Sequence, residues 1–330
     1  MHHEDRPADA SSRWALNIIH TCIGVEPEEK VLIAVDEPLR YALDPLLGEA
    51  LNAEPAEAWT YTFSNAPRPF TEFPARLLDL TTQMDAVVVL LASLDPVAEL
   101  PAHVAARSVI TRGKARYAFG AYIDRSILEH ELSADYGQIS ALTHSLADRL
   151  QGTSSVHITT PLGTDLRLSV AGRTWRTDTG ILRGHGVYGN LPAGEVFVAP
   201  VEDGAEGVLV VDKGLPGLEL SEPVRLVFEE GKVVSIEGEP GAGYLERALQ
   251  EGEQKPNGER SRTIAELGIG TNPKARLQGN LITDEKVAGT IHVAIGRNDF
   301  LGGKNLAPVH IDCVVSEPRL RVDGDLIAEF

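Results

Sequence analysis

Hydrophobic and polar positions fall into two textures along the chain. Through residues 1–150, apolar residues recur at helical spacing in some stretches and as short continuous runs in others. The stretch "RWALNIIHTCIGV" (13–25) predicts a helix closed by a glycine, and Val31–Val35 predicts a strand between charged flanks. The pattern then predicts a helix over 39–53, a strand over 58–65, a short helix over 74–84 and a strand within "DAVVVLLASL" (85–94). A helix over 95–113, a strand over 114–123 and a long amphipathic helix over 136–150 complete this half. The unbroken apolar run at 85–94 suits a central strand covered on both faces. Alternation of this kind predicts an α/β N-terminal domain with a mostly parallel open sheet.

The texture changes near residue 151. Short alternating segments separated by Gly and Pro now dominate, beginning with the hairpin pattern "VHITTPLGTDLRLSV" (156–170). "EVFVAPV" (195–201), "GVLVVDKG" (207–214), "VRLVFEEGKVVSIEG" (224–238), "GTIHVAIG" (289–296) and "VHIDCVV" (309–315) read as further strands. "GYLERALQEGE" (243–253) reads as a helix. The expectation is a β-rich (α+β) C-terminal domain over 151–330, built as a barrel or curled sheet, behind a 1–150 scaffold domain.

Composition narrows the function. A length of 330 residues fits two domains better than one core. The balance of 30 basic against 48 acidic residues gives a net charge of −18, which argues against nucleic acid as a partner. The longest apolar run, "AVVVLLA" (86–92), is too short to cross a bilayer. The polar start "MHHEDRPADA" has no apolar segment of the secretory kind, so a cytoplasmic location is expected, with His2 and His3 read as part of a tail. Cys22 and Cys313 both sit in apolar settings and are expected to be buried free thiols. Neither a G-x-G-x-x-G nor a Walker loop follows the first strand, so a nucleotide site has little support.

Chemistry-bearing residues gather in the second half. Glu195 opens an apolar strand after a Gly-Pro turn, and Glu266 is the only charge in "IAELGIGTNP" (264–273). His292 stands mid-strand between Ile291 and Val293, with Glu285 seven residues before it. His310 and Asp312 share one face of their strand, with Cβ atoms roughly 7 Å apart. Each has a plainer account alone: a core histidine, a half-exposed strand, a turn carboxylate. Together they are costly to bury unless paired or bound to a metal. Two Glu, two His and one Asp suit divalent Zn, Mn, Co or Fe, and five ligands exceed what one catalytic zinc takes from protein. Two ions about 3.5–4 Å apart, as in two-metal hydrolases, would use them all.

These segments, in this order, resemble the aminopeptidase T / aminopeptidase S family of dinuclear metallo-aminopeptidases. The resemblance covers the C-terminal half through "GNLPAGEVFVAPVEDGAEG", "AELGIGTNP", "DEKVAGTIHVAIG" and "HIDCVV"; in the N-terminal half only the α/β pattern agrees. It implies a hydrolase that removes N-terminal residues from peptides. It further implies metal ligands Glu195, Glu266, His292, His310 and Asp312, with Glu266 and Glu285 in catalytic roles. Two divalent ions (Zn, Co, Mn or Mg), a small peptide or amino-acid-derived substrate and a homodimer are expected with it. Two residues more than in the family separate Glu285 from His292, and Asp299 stands where the peptidases carry a metal-proximal tyrosine; Tyr188 or Tyr244 are candidates to replace it in space. The same superfamily resembles a ring-cleaving branch, the 2,5-dihydroxypyridine dioxygenases. Those hold one Fe(II) with two histidines and an aspartate, here His310, Asp312 and either His292 or His185. A third reading is a binding homologue with an altered site.

Overall fold

The computed structural model describes residues 13–53, 56–63, 69–94, 99–216 and 218–329. The tail carrying His2 and His3 lies outside them. Its strands, in chain order, are β1 (Lys30–Asp36), β2 (Glu57–Phe63), β3 (Ala86–Leu90), β4 (Arg116–Gly120), β5 (Ser155–Thr159), β6 (Asp165–Ser169) and β7 (Arg176–Asp178). Then come β8 (Tyr188–Asn190), β9 (Glu195–Val198), β10 (Ala205–Val211), β11 (Gly214–Leu215), β12 (Leu218–Glu219) and β13 (Val224–Glu229). The last are β14 (Lys232–Glu237), β15 (Ile264–Gly270), β16 (Thr290–Gly296), β17 (His310–Ser316), β18 (Arg319–Val322) and β19 (Asp325–Glu329). No helix among the described residues is long and apolar enough to cross a membrane.

The chain divides into two compact units. The first takes Met1–Ser140 together with Thr179–Ala193, and the second takes Ala141–Asp178 together with Gly194–Phe330. The first unit carries a parallel sheet in the order β2-β1-β3-β4-β8. Every residue of β3 is buried, as its unbroken apolar run requires. Helices Leu43–Asn52, Ala75–Thr81 and Leu100–Arg112 alternate with the strands. The segment Thr179–Ala193 belongs here because β8 extends the sheet beside β4. The opening helix is a short α-turn, Arg13–Leu16, that widens into π-type turns over Asn17–Cys22. Inside it the buried Asn17 donates to the carbonyls of Leu132 and Ala134 at 2.8 and 2.7 Å.

The second unit holds two antiparallel seven-stranded sheets, β14-β13-β10-β6-β5-β18-β19 and β12-β11-β17-β16-β15-β9-β7. Their inner faces share one core with helix residues Ala147, Leu150, Leu245 and Leu249. This is a two-layer packing, where the sequence pattern suggested a barrel or curled sheet. Each strand has one apolar face, and two such faces bury each other. Cys313 lies in this core and Cys22 in that of the first unit; both thiols are buried and free.

Alternation along the second of these sheets sets up the candidate site. Val196, Val198, Leu267, Ile269, Ile291, Val293, Ile295, Ile311, Cys313 and Val315 face the core. Their neighbours Glu195, Gly268, His292, His310 and Asp312 therefore face the other way. One irregularity adds Glu266 to that set. Strict alternation would put Glu266 on the face of Ile264, which is in the core. The register between β15 and β16 shifts between Ile264 and Glu266, so that Ile264 opposes Ile295 and Glu266 opposes Ala294. A bulge that inserts one residue reverses the facing of the residues beyond it.

Candidate metal centre

Registers across the sheet bring the acidic and histidine residues into adjacent rows. Glu266 opposes Ala294, which in turn opposes Asp312; Gly268 opposes His292; Gly296 opposes His310; Gly270 opposes Glu195. Each large polar side chain has a small neighbour beside it. At Gly268 the reason is steric, because a Cβ there would lie 2.0 Å from Cε1 and 2.2 Å from Nε2 of His292. The imidazole lies flat over the glycine.

A second layer of chain closes over this face. The short helix Leu281–Asp284 leads into Glu285 and Lys286. Asp284 pins the preceding loop by accepting from the backbone N–H of Gln278 and Gly279 at 2.8 and 2.9 Å. The backbone N–H of Asn272 donates to the carbonyl of Lys286 at 2.9 Å, and that of Ala288 donates to the Asn272 carbonyl at 3.1 Å. Gly270 permits the approach, since a Cβ there would meet the Val287 carbonyl oxygen at 2.1 Å.

All six residues singled out in the sequence come together here. Glu266 spans both histidines, with Oε1 3.5 Å from His292 Nε2 and Oε2 3.3 Å from His310 Nε2. His310 Nε2 is also 3.3 Å from Asp312 Oδ1, and Glu195 Oε2 is 3.6 Å from His292 Nε2. Among the described residues, two groups have donor atoms that lie within 4.8 Å of one another: Glu266–His310–Asp312 and Glu285–His292–Asp312. Asp312 belongs to both. Donors bound to one ion at about 2.0–2.2 Å sit roughly 3 Å apart, so these spacings suit an ion in each group.

Further observations test the fit. The Nδ1–H of His310 donates to the Arg297 carbonyl at 2.7 Å, which aims Nε2 at Glu266 and Asp312. The buried Oε2 of Glu195 and Nδ1 of His292 have no hydrogen-bond partner among the described residues. A buried acceptor of this kind is costly without a cation or donor. The rings of Phe300 and His310 meet edge to face at 5.3 Å between centroids.

Sequence reasoning missed Lys286. Its side chain is 1% exposed, with Nζ 2.6 Å from Glu195 Oε1, 2.8 Å from Glu285 Oε1 and 3.5 Å from Asp178 Oδ2. The signal was a lysine beside Glu285 in a segment that closes over an apolar strand. A charged neighbour of a presumed turn glutamate reads as solvated surface, and only the fold turns it inward.

Charges within the cluster reset one another. Burial pushes the Glu195 carboxyl up to about 7, against the pull of the Lys286 ammonium and with the push of Glu285. Burial likewise raises Glu285, again against Lys286. Burial would raise Glu266 too, but His292 and His310 outweigh it and hold that carboxyl well below its ordinary value. Burial disfavours charge on His292, yet Glu266, Glu195 and Glu285 lift it to about 9. Burial also opposes charge on His310, and Asp312 with Glu266 raise it well above the usual imidazole range. Without an ion the imidazoles thus carry protons that an ion would displace.

Of the other residues noted in the sequence, Asp299, Tyr244 and Tyr188 have partners of their own. Asp299 is held by Arg297 at 2.5 and 3.1 Å. The Tyr244 hydroxyl donates to the Pro216 carbonyl. Tyr188 and His185 belong to the first unit, where the Arg107 guanidinium stacks 4.2 Å above the Tyr188 ring.

Fold and donor set define a class: an α/β unit joined to a two-sheet β unit that presents a buried carboxylate–histidine cluster fit for divalent metal. Within that class the chain belongs to the NicX, or 2,5-dihydroxypyridine 5,6-dioxygenase, family, whose profile matches residues 19–329. A 2,5-dihydroxypyridine 5,6-dioxygenase of Pseudomonas putida is 27% identical over 199 residues, covering 54% of this chain and 56% of the relative. Aminopeptidase T of Thermus thermophilus is 29% identical and Aminopeptidase AmpS of Bacillus subtilis 26% identical, each covering 49% of this chain and 43% of the relative. The matches thus span about half the length of these curated relatives. Among solved structures, the 2,5-dihydroxypyridine dioxygenase of Pseudomonas putida superposes with a TM-score of 0.73 at 19% identity, over 98% of this chain and 99% of that one. Wild-type AmpT from Thermus thermophilus gives 0.72 at 19% identity, over 96% of both chains. At that identity the likeness is one of fold.

Proposed function

We propose that the protein is a metal-dependent hydrolase acting at the amino end of peptides or amino-acid amides, with two divalent ions in the cluster. The observation that carries this reading is the pair of ion-sized donor groups sharing Asp312, with Glu266 facing both histidines. A one-ion centre needs neither the second group nor a carboxylate between the histidines. When bound, the ions supply a polarised carbonyl and an activated water.

The chain's own side chains do the rest. Glu266 has one oxygen toward each histidine, so it would hold an ion between them. Glu285 has Oε1 on Lys286 and a proton affinity raised by burial, so its Oε2 can take a proton and pass it to a leaving amine. The carboxylate-rich wall attracts a cationic α-amine. The test is release of amine from an aminoacyl amide by the protein at saturating divalent ion, lost in Glu285→Gln even where elemental counts show both positions filled. If Glu285→Gln kept full turnover, the proton-transfer role would be wrong.

A second reading is ring opening of a hydroxylated pyridine at one Fe(II), held by His292, His310 and Asp312. Two observations favour it: the family match over 19–329, and Asp299, tied to Arg297, at the place of the peptidase tyrosine. Oxygen uptake with 2,5-dihydroxypyridine and Fe(II) tests it directly.

A further inference from the structure

Lys286 is a cation inside a cation site. Its ammonium has three N–H groups and three carboxylates around it, from Glu195, Glu285 and Asp178. That leaves no donor over for a substrate, so the group acts on the cluster itself. It is also firmly placed: the backbone N–H of Lys286 donates to the Thr283 carbonyl at 3.0 Å, and its carbonyl accepts from Asn272 at 2.9 Å. The side chain itself is 1% exposed and held by the three carboxylates.

The ammonium meets the two donor groups unequally. Glu285, a member of the Glu285–His292–Asp312 group, is bonded to it at 2.8 Å. Glu195, which lies 3.6 Å from His292, is bonded to it at 2.6 Å. The Glu266–His310–Asp312 group makes no ion pair with Lys286 among the described residues. An ion at the His292 position therefore shares its carboxylates with a fixed positive charge and is repelled by it. An ion at the His310 position uses Glu266 and Asp312, both within reach of the other position as well but neither of them paired with Lys286 among the described residues.

We propose that Lys286 makes the two metal positions unequal, so that the Glu266–His310–Asp312 position fills first and tightly while the Glu285–His292–Asp312 position fills weakly. The inference rests on the two-ion reading above. Occupancy of the second position then tracks the surrounding divalent-ion concentration, and Lys286 sets the threshold.

Calorimetric titration of the metal-stripped full chain with Mn(II) and with Zn(II), backed by elemental counts, tests this. The wild type is expected to bind in two steps separated by about tenfold or more in affinity. Lys286→Gln, which keeps a hydrogen-bond donor and removes the charge, is expected to tighten the weak step by about tenfold while leaving the tight step within about threefold. Lys286→Arg keeps the charge and is expected to keep the gap. His310→Ala removes the tight step and His292→Ala the weak one. Two wild-type ions of equal affinity would overturn the proposal, and so would a weak step that Lys286→Gln leaves in place. The wild-type isotherm decides even if a variant fails to fold. Absence of any binding by the wild type defeats the two-ion reading itself, an outcome distinct from two equal steps.

Discussion

At the scale of single residues, the centre depends on residues outside the candidate ligand set. Gly268 has no chemistry of its own, yet a Cβ there would occupy the space of the His292 ring. Gly268→Ala is expected to weaken metal affinity by about 10–100-fold, as loss of support behind a ligand typically does. Titration calorimetry with a thermal melt checks that the chain still folds. Glu202 works at a distance. It accepts from the Lys304 backbone N–H at 2.6 Å and from Asn298 Nδ2 at 3.2 Å, and pairs with Arg173, so it anchors the segment carrying Phe300 against His310. Burial would raise its carboxyl, but these partners hold it below the ordinary 4.5. A depressed carboxylate gives stability that is present above the unfolded-state value and lost as pH falls through the folded one. Glu202→Gln is expected to cost about 1–2 kcal/mol at neutral pH, with the gap to wild type closing below 4.5. Urea midpoints on both sides of that value measure it. The six candidate residues were legible because carboxylates and histidines between Val and Ile contradict the apolar pattern around them. Lys286 was not legible, since "DEKVAG" reads as a solvated turn until Asn272 is seen to hold it over the sheet.

At the scale of elements, β17 does two jobs on two faces. His310 and Asp312 face the cluster while Ile311, Cys313 and Val315 lie in the core. The faces separate by mutation. Ile311→Ala is expected to lower stability by about 2–4 kcal/mol through lost burial and a residual cavity, with metal affinity little changed. His310→Ala is expected to do the reverse, abolishing binding at its position while the fold persists. Chemical denaturation and titration on the same two variants give the four values. Strand positions such as β3, β16 and β17 emerged from alternation and apolar runs. The bulge in β15 did not, because Ile264 and Glu266 share a parity and nothing in "IAELGIG" marks where the register slips. The pairing of the two seven-stranded sheets into layers was also beyond the sequence, since alternation shows which face is apolar and not what covers it.

At the scale of the whole molecule, the α/β and β-rich character of the two parts was evident from the change of texture. The compact units divide between Ser140 and Ala141, however, not at 150/151, because the end of the Tyr136–Leu150 helix packs its Ala147 and Leu150 into the core of the second unit. The return of Thr179–Ala193 to the first unit was not evident either, because a three-residue strand, β8, carries it. The cluster supplies the link between fold and stability. Five carboxylates face one ammonium and two imidazoles, so ions that bind only the folded chain stabilise it by mass action. Chelation is expected to lower the melting temperature, and excess Mn(II) or Zn(II) at about 100-fold over Kd to restore about 2.7 kcal/mol. Fold likeness to both a dioxygenase and an aminopeptidase leaves reaction class to the site. The measurement that bears on it most directly records two signals from one ion-loaded preparation: amine release from an aminoacyl amide, and oxygen uptake with 2,5-dihydroxypyridine. The two-ion account expects amine release that chelation abolishes and Glu285→Gln suppresses, without oxygen uptake. Oxygen uptake dependent on a single Fe(II), with no amine released, would contradict it.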